Sequence, residues 1–173
     1  MAILYKNFRS SIINSFPLIT LYYLSISEID THFSNMFEIL SFNLQIIIIY
    51  YWMLKNSNVL GNGHIFFAGI INDVVQNLPI GISSINYLLL CVIASFFRTR
   101  TLVPNLIYDW ILFLVAILIV SSIHFTLLSA FFDGNIKYGT LMSTAFFSFL
   151  VYPLVAKIFN QIYLLGLRQE NVE

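Results

Sequence analysis

The residues best suited to chemistry in this 173-residue chain lie in one short stretch. Gly69, Asn72, Asp73, Gln76 and Asn77 follow the spacing i, i+3, i+4, i+7 and i+8. That spacing predicts that the five residues share one face of an α-helix, here named the polar stripe. An acidic residue inside an apolar helix is a functional-site hypothesis by default. The polar stripe therefore predicts either an inward-facing packing surface or a carboxylate that acts in function or contacts a partner.

Two further features belong to the neighbourhood of the polar stripe. Gln45 lies on the preceding apolar segment, at a similar estimated depth, and is a candidate interhelix partner of Asp73. Pro79 and Gly81 follow the stripe directly and predict a turn. If the polarity of Asp73 matters, we expect Asp73→Leu to disturb function or assembly more than Asp73→Asn.

Signals for an enzyme are weak in this sequence. The run Gly81-Ile82-Ser83-Ser84 partly resembles the nucleophile turn of an intramembrane serine protease, with His124 as a base, but Ser84 stands where a glycine should follow. Cys91 is the single cysteine, so the sequence offers no cysteine pair, and no Cys/His cluster suggests a metal site. We therefore predict a protein that is not an enzyme, without catalytic residues, cofactor or metal.

Composition places these residues in a membrane protein. The chain is 59% hydrophobic and only 9% charged, whereas soluble domains are about 25% charged. Its eight basic and eight acidic side chains give a net charge of zero. Bulk charge therefore offers no footprint for nucleic acid. An integral membrane protein is the class that remains.

Six apolar segments are separated by short polar breaks, at 11–26, 37–54, 63–78, 84–97, 106–128 and 141–165. Strand-like alternation is absent, so each segment is expected to be a helix. The whole chain, 1–173, is predicted to form one all-α transmembrane domain, a six-helix bundle with short loops. The third segment has about 16 residues and reaches only about 24 Å, against a hydrocarbon core of about 30 Å. The third and fourth segments are therefore alternatively a re-entrant hairpin.

Basic residues predict the orientation of the bundle. If the N-terminus is cytoplasmic, seven Lys and Arg residues fall on the inner side and one, Lys137, falls outside. The inner seven are Lys6, Arg9, Lys55, Arg98, Arg100, Lys157 and Arg168. The positive-inside rule then predicts that both termini are cytoplasmic. Aromatic residues near the helix ends, including Tyr50, Tyr51 and Trp52, are expected to form a belt at the membrane surface.

The stretch from Gly69 to Asp73, followed by 78–81, resembles the rod shape-determining protein MreD family. That family shows a Gly-apolar-apolar-polar-Asp helix, then a turn with Pro or a small residue and Gly. The aromatic pair before Lys55 also matches the end of the family's preceding helix. The clear match covers about 44–100, roughly a third of the chain.

Two positions depart from the family pattern. Phe37-Glu38 stands where the family often has Pro-Asp. Asn77 stands where Gly is usual before the turn. Because Asn tolerates left-handed backbone better than most residues, the turn is still expected here.

The resemblance implies a non-enzymatic protein of the bacterial inner membrane. Members of the family maintain rod shape by scaffolding peptidoglycan synthesis during cell elongation, together with MreC. The resemblance also implies MreB, RodZ, a SEDS glycosyltransferase and a transpeptidase as members of the same complex. The alternative is the substrate-capturing membrane subunit of a vitamin or metal uptake transporter, which has similar length and six helices. An intramembrane hydrolase is a distant third.

Overall fold

Helices form the regular structure of the part of the chain that is described. The computed structural model describes residues 15–26, 35–100, 105–131 and 138–170. The helices are α1 (Ser15–Ile26), α2 (Asn35–Lys55), α3 (Ser57–Leu60), α4 (Asn62–Val75), α5 (Ile82–Arg100), α6 (Leu106–Phe131) and α7 (Tyr138–Glu170). No strand occurs within these ranges. The all-α expectation is confirmed for them.

Some predicted boundaries need correction. The third segment was expected to be helical to residue 78, but α4 ends at Val75, so Gln76 and Asn77 leave the helix. The polar break at 56–58 contains the start of α3, a single turn that the sequence did not predict. Residues 11–14, most of the two longest predicted outer loops (27–36 and 129–140), and Lys6, Arg9 and Lys137 lie outside the described residues.

Three helices are long and apolar enough to cross a membrane. They are Ile82–Arg100 of α5, Leu106–Phe131 of α6 and Ala145–Leu164 within α7. Ser15–Ile26 and Leu44–Lys55 are apolar but shorter, and α4 has only 14 residues. At about 1.5 Å per residue, α4 is about 21 Å long. The length and composition of these three helices therefore indicate a membrane protein.

Four helices close into a ring. α2 packs against α5 and α7, and α6 also packs against both α5 and α7. α4 lies against α5. α1 approaches α4, where the Tyr22 hydroxyl is 3.2 Å from His64 Nδ1. α5 is thus the helix that connects α4 to the ring.

The core of the bundle is built around α2. Residues 46–53 are all buried, with at most 3% of each exposed. A helix that is apolar on all sides is a buried one, and α2 lies between α5 and α7. The expected surface belt is therefore wrong for Tyr50, Tyr51 and Trp52. Tyr50, for example, packs against Phe113 with ring centroids 5.0 Å apart.

Candidate functional site

The polar stripe divides at the end of α4. Gly69, Asn72 and Asp73 are buried, whereas Gln76 is half-buried and Asn77 is exposed. The face of α4 that bears Phe67 and Val74 is exposed, as expected of a side turned to lipid. The buried members of the stripe therefore face the bundle, and the other two belong to the turn that follows.

The α4–α5 turn is defined by its backbone bonds. The Leu78 N–H donates to the Asp73 carbonyl over 2.9 Å, and the Asn77 N–H donates to the Val74 carbonyl over 3.4 Å. These are the two bonds of a Schellman motif, which needs left-handed backbone at the residue after the helix cap. Asn77 occupies that position with φ 53°. Pro79 follows two residues later and prevents the helix from continuing.

The carboxylate of Asp73 fixes the start of α5. Its Oδ2 accepts a hydrogen bond from the Gly81 N–H over 2.7 Å, and its Oδ1 accepts one from the Ser83 N–H over 2.8 Å. Amides at a helix N-terminus lack intrahelical acceptors and attract negative charge. The C-terminal end of α4, where Asp73 lies, carries partial negative charge on its carbonyl groups, which disfavours an acidic side chain. The hydrogen bonds from the Gly81 and Ser83 amides offset this repulsion and explain how the carboxyl group is accommodated while fully buried.

Gly69 sets the distance between α4 and α5. A Cβ atom at this position would lie 2.5 Å from Ser84 Cα and 2.6 Å from Ser84 N. Both are backbone atoms, so the two helices can approach this closely only where α4 carries no side chain. The Ser84 hydroxyl completes the contact by donating to the Phe66 carbonyl over 3.1 Å. Gly69 and Asp73 therefore act on the same helix pair, one turn apart.

A chain of side-chain hydrogen bonds extends from the hairpin to α2. Tyr87 on α5 donates to Gln45 Oε1, and Gln45 Nε2 donates to Asn72 Oδ1 over 3.3 Å. Asn72 Nδ2 then donates to Ser83 Oγ over 3.1 Å. All four residues are buried. The structure thus places Gln45 against Asn72, one residue before the Asp73 with which the sequence paired it.

Asn86 and His124 link α5 to α6. Asn86 Nδ2 lies 2.6 Å from His124 Nδ1. Asn86 Oδ1 is buried without a hydrogen-bond partner among the described residues. Helical spacing along the sequence places Ser84, Tyr87, Cys91 and Ala94 on one partly polar face of the fourth segment, a pattern typical of helix packing, and the structure buries all four. That spacing includes Tyr87 but neither Ser83 nor Asn86, which sequence reasoning missed.

The arrangement is suited to holding helices together. The side chains of Asp73, Asn72 and Gln45 form hydrogen bonds with neighbouring helices or with the α4–α5 turn. Lipid cannot satisfy polar groups, so those inside a membrane bundle need such partners. Within residues 15–26, 35–100, 105–131 and 138–170, no group of three His, Cys, Asp or Glu side chains gathers as a metal ion would require. The geometry of the site is therefore that of a polar clasp between α2, α4 and α5.

Comparisons of the chain with protein-family models, with curated proteins and with solved structures find no match.

Proposed function

We propose that this chain is a non-enzymatic scaffold of the bacterial cell-elongation machinery, similar to the MreD family. One observation carries the proposal: the motif from Gly69 to Asp73 and the turn that follows it, which carry most of the resemblance, build the α4–α5 hairpin. Gly69 permits the close approach, Asp73 accepts from the start of α5, and Gly81 donates one of the two hydrogen bonds. A motif whose polar groups fix the shape of a helix pair is suited to scaffolding.

The proposed membrane arrangement has six spans and two cytoplasmic termini. The six are α1, α2, α4, α5, α6 and α7, with α4 as the short arm of the hairpin. Contacts gather basic residues at one end of the bundle: Lys55 pairs with Asp109 over 3.7 Å, and Arg98 donates to Ser57 Oγ over 2.6 Å. This grouping supports the cytoplasmic placement of that end, because inner loops are rich in Lys and Arg.

In the proposed role, the bundle acts by holding partners in the inner membrane while peptidoglycan is made. MreC is the principal proposed partner, with MreB, RodZ, a SEDS glycosyltransferase and a transpeptidase in the same complex. Exposed apolar side chains on the described helices, such as Phe67, Val92 and Leu154, are available to lipid or to partner helices. A fixed α4–α5 geometry keeps that surface constant.

Depletion of the protein, followed by microscopy, tests the proposal. We expect depleted cells to round, wild-type protein to restore rods, and Asp73→Leu to restore them poorly. Val74→Leu is the matched control, because Val74 is adjacent on α4 and 59% exposed, so it should restore rods fully. Co-purification with MreC should follow the same order.

Two results would count against the proposed role. Depleted cells that keep a normal rod shape would contradict it directly. Co-purification with a pair of ATPase subunits, together with a defect in vitamin or metal uptake, would favour the transporter subunit instead.

A further inference from the structure

α4 is too short to cross a bilayer of ordinary thickness. It has 14 residues, and polar residues are exposed near both of its ends: Asn62 and His64 at the start, and Asn77 just past the end. From Asn62 to Asn77 the chain rises about 22 Å at 1.5 Å per residue, whereas the hydrocarbon core is about 30 Å thick. The apolar length of α4 is therefore several ångströms shorter than an ordinary membrane.

The side of α4 that faces away from the bundle is apolar. Phe67 and Val74 are each 59% exposed, and Ile80, at the tip of the hairpin, is 74% exposed. In a membrane protein, exposed apolar side chains of this kind contact acyl chains. The short length of α4 is therefore presented to lipid directly and is not hidden behind neighbouring helices.

Side-chain contacts show that the hairpin stops short of α2. Gln45 of α2 donates to Asn72 of α4 over 3.3 Å, so these two residues lie at the same level of the bundle. Beyond that level α4 continues for only about 4.5 Å, to its end at Val75. α2 continues in the same direction for about 15 Å, to its start at Asn35.

α6 also extends further than the hairpin. Asn86 Nδ2 of α5 lies 2.6 Å from His124 Nδ1 of α6, which places these residues at one level. Beyond it α5 extends for about 6 Å, to its start at Ile82, whereas α6 extends for about 10 Å, to Phe131. The tip of the hairpin is therefore recessed by roughly 5–10 Å relative to the ends of α2 and α6.

The recess lies at the end of the bundle opposite to its basic residues. Lys55, at the end of α2, pairs with Asp109 near the start of α6 over 3.7 Å. Arg98, near the end of α5, donates to Ser57 Oγ over 2.6 Å. In the proposed orientation this basic end is cytoplasmic. The recess then opens toward the outer leaflet of the membrane.

Two arrangements would accommodate a recessed tip. Either the tip lies within the hydrocarbon, or the membrane surface moves inward to meet the tip. The side chain of Asn77 is exposed at the tip, and its carboxamide finds hydrogen bonds in water and headgroups but not in hydrocarbon. A bilayer next to a short apolar stretch is able to thin locally at a modest cost per ångström. The second arrangement is therefore favoured.

We propose that the outer leaflet thins along the α4–α5 hairpin and that the surface of α4 prefers phospholipids with short acyl chains. This inference rests on the six-span arrangement proposed above, but not on the role in cell elongation. α6 provides a contrast within the same molecule, because its 26 residues, about 39 Å, exceed the thickness of the hydrocarbon core and favour longer chains. The bundle is thus bordered by a thin patch of membrane on one side only.

Fluorescence quenching by brominated lipids tests the preference of each surface. Val74→Trp places a reporter on the exposed side of α4, and Ile119→Trp places the matched reporter on α6, where Ile119 is 41% exposed. The full-length variants are reconstituted in brominated 18-carbon phosphatidylcholine mixed with unbrominated phosphatidylcholine of 14 or 22 carbons, and the quenching of the wild type is subtracted. At Val74→Trp we expect the 14-carbon lipid to displace the brominated lipid about two- to threefold better than the 22-carbon lipid does. At Ile119→Trp the order should reverse.

Cysteine labelling tests where the tip lies. Asn77→Cys, Ser129→Cys and Val92→Cys are made with Cys91 replaced by alanine and treated in vesicles with a charged, water-soluble maleimide on both sides. Ser129 is exposed near the end of α6, and Val92 is 66% exposed in the middle of α5. We expect Asn77→Cys to react at a rate close to that of Ser129→Cys, and Val92→Cys to stay unlabelled.

Either of two outcomes would overturn the proposal. One is the same order of chain-length preference at Val74→Trp and Ile119→Trp. The other is an Asn77→Cys thiol as protected as that of Val92→Cys, which would place the tip within the hydrocarbon. Both measurements use purified protein in vesicles, so their failure leaves the role in cell elongation intact. Normal rods after depletion would in turn leave the thinned bilayer intact.

Discussion

Replacement of Asp73 gives the sharpest test of how the hairpin is held. Asp73→Leu removes both acceptors and leaves the Gly81 and Ser83 N–H groups without them. Asp73→Asn keeps one carbonyl oxygen, but its amide nitrogen then faces the other N–H as a second donor. The two variants should therefore lose two bonds and one bond, respectively.

The size of the effect follows from the unsatisfied groups. A buried donor left without an acceptor costs about 1–3 kcal/mol. Asp73→Leu should then lower the free energy of unfolding by about 2–6 kcal/mol, and Asp73→Asn by about 1–3 kcal/mol. The hydrogen bond from the Gly81 N–H to Asp73 is only partly buried, whereas the one from the Ser83 N–H is buried. Most of the lost stability should therefore come from the unsatisfied Ser83 N–H.

The measurement is Tm of the purified full-length protein in detergent, followed by tryptophan fluorescence. For a domain of this length, about 1 kcal/mol corresponds to a shift of roughly 2–4 °C. We expect the order wild type, Asp73→Asn, Asp73→Leu, with Val74→Leu close to wild type. Equal Tm values for all four proteins would refute the capping role of Asp73. Full stability of Asp73→Asn with complete loss of rod-shape rescue would instead assign its effect to charge.

Two other substitutions test the same hairpin by thermal unfolding. Gly69→Ala should lower stability by about 1–3 kcal/mol because its Cβ meets the backbone of Ser84. Gly63→Ala places its new Cβ more than 4 Å from any neighbouring atom, so it should raise the free energy of unfolding by about 0.5–1 kcal/mol through helix propensity. If both substitutions changed stability in the same direction, the close approach of α4 to α5 at Gly69 would be contradicted. Asn77 has a left-handed backbone, with φ 53°. Asn77→Gly should therefore be neutral or stabilising, whereas Asn77→Val should lower the free energy of unfolding by about 1–2 kcal/mol. Equal Tm values for the two variants would contradict a left-handed residue at this position.

Helix period and hydropathy were enough to predict much of the fold. The spacing of Gly69, Asn72 and Asp73 predicted a shared face, and all three are buried against the bundle. The estimated depth of Gln45 placed it near the polar stripe, and it bonds Asn72. These successes rest on periodicity along one helix, which a sequence records directly.

Partners of the polar groups were harder to predict. Asp73 accepts from the backbone N–H groups of Gly81 and Ser83. Almost every residue carries such a group, so side-chain types do not reveal which ones reach Asp73. The path of the turn decides it. The end of α4 at Val75, three residues before the predicted end, is what places Asp73 in the last turn, where an acid faces the helix's own carbonyl groups and needs donors from elsewhere.

The error on the aromatic residues of α2 has a different origin. Distance from a helix end estimates depth in the bilayer, but it does not report whether a side chain faces lipid or another helix. For Tyr51 and Trp52 the neighbouring helix α7 decides the matter, and it lies about a hundred residues further along the chain. The uninterrupted apolar run before them, 46–49, was the better indicator of a helix enclosed on all sides.

Enclosure of α2 also dictates when this protein is able to finish folding. One of the two principal packing partners of α2 is α7, which leaves the ribosome only after α3 to α6 have been made. Until α7 arrives, the side of α2 that bears Tyr51 and Trp52 lacks the helix that covers it. A nascent chain halted after α6 would therefore present that side to lipids, chaperones or membrane proteases. Arrival of α7 is the step that encloses this side of α2.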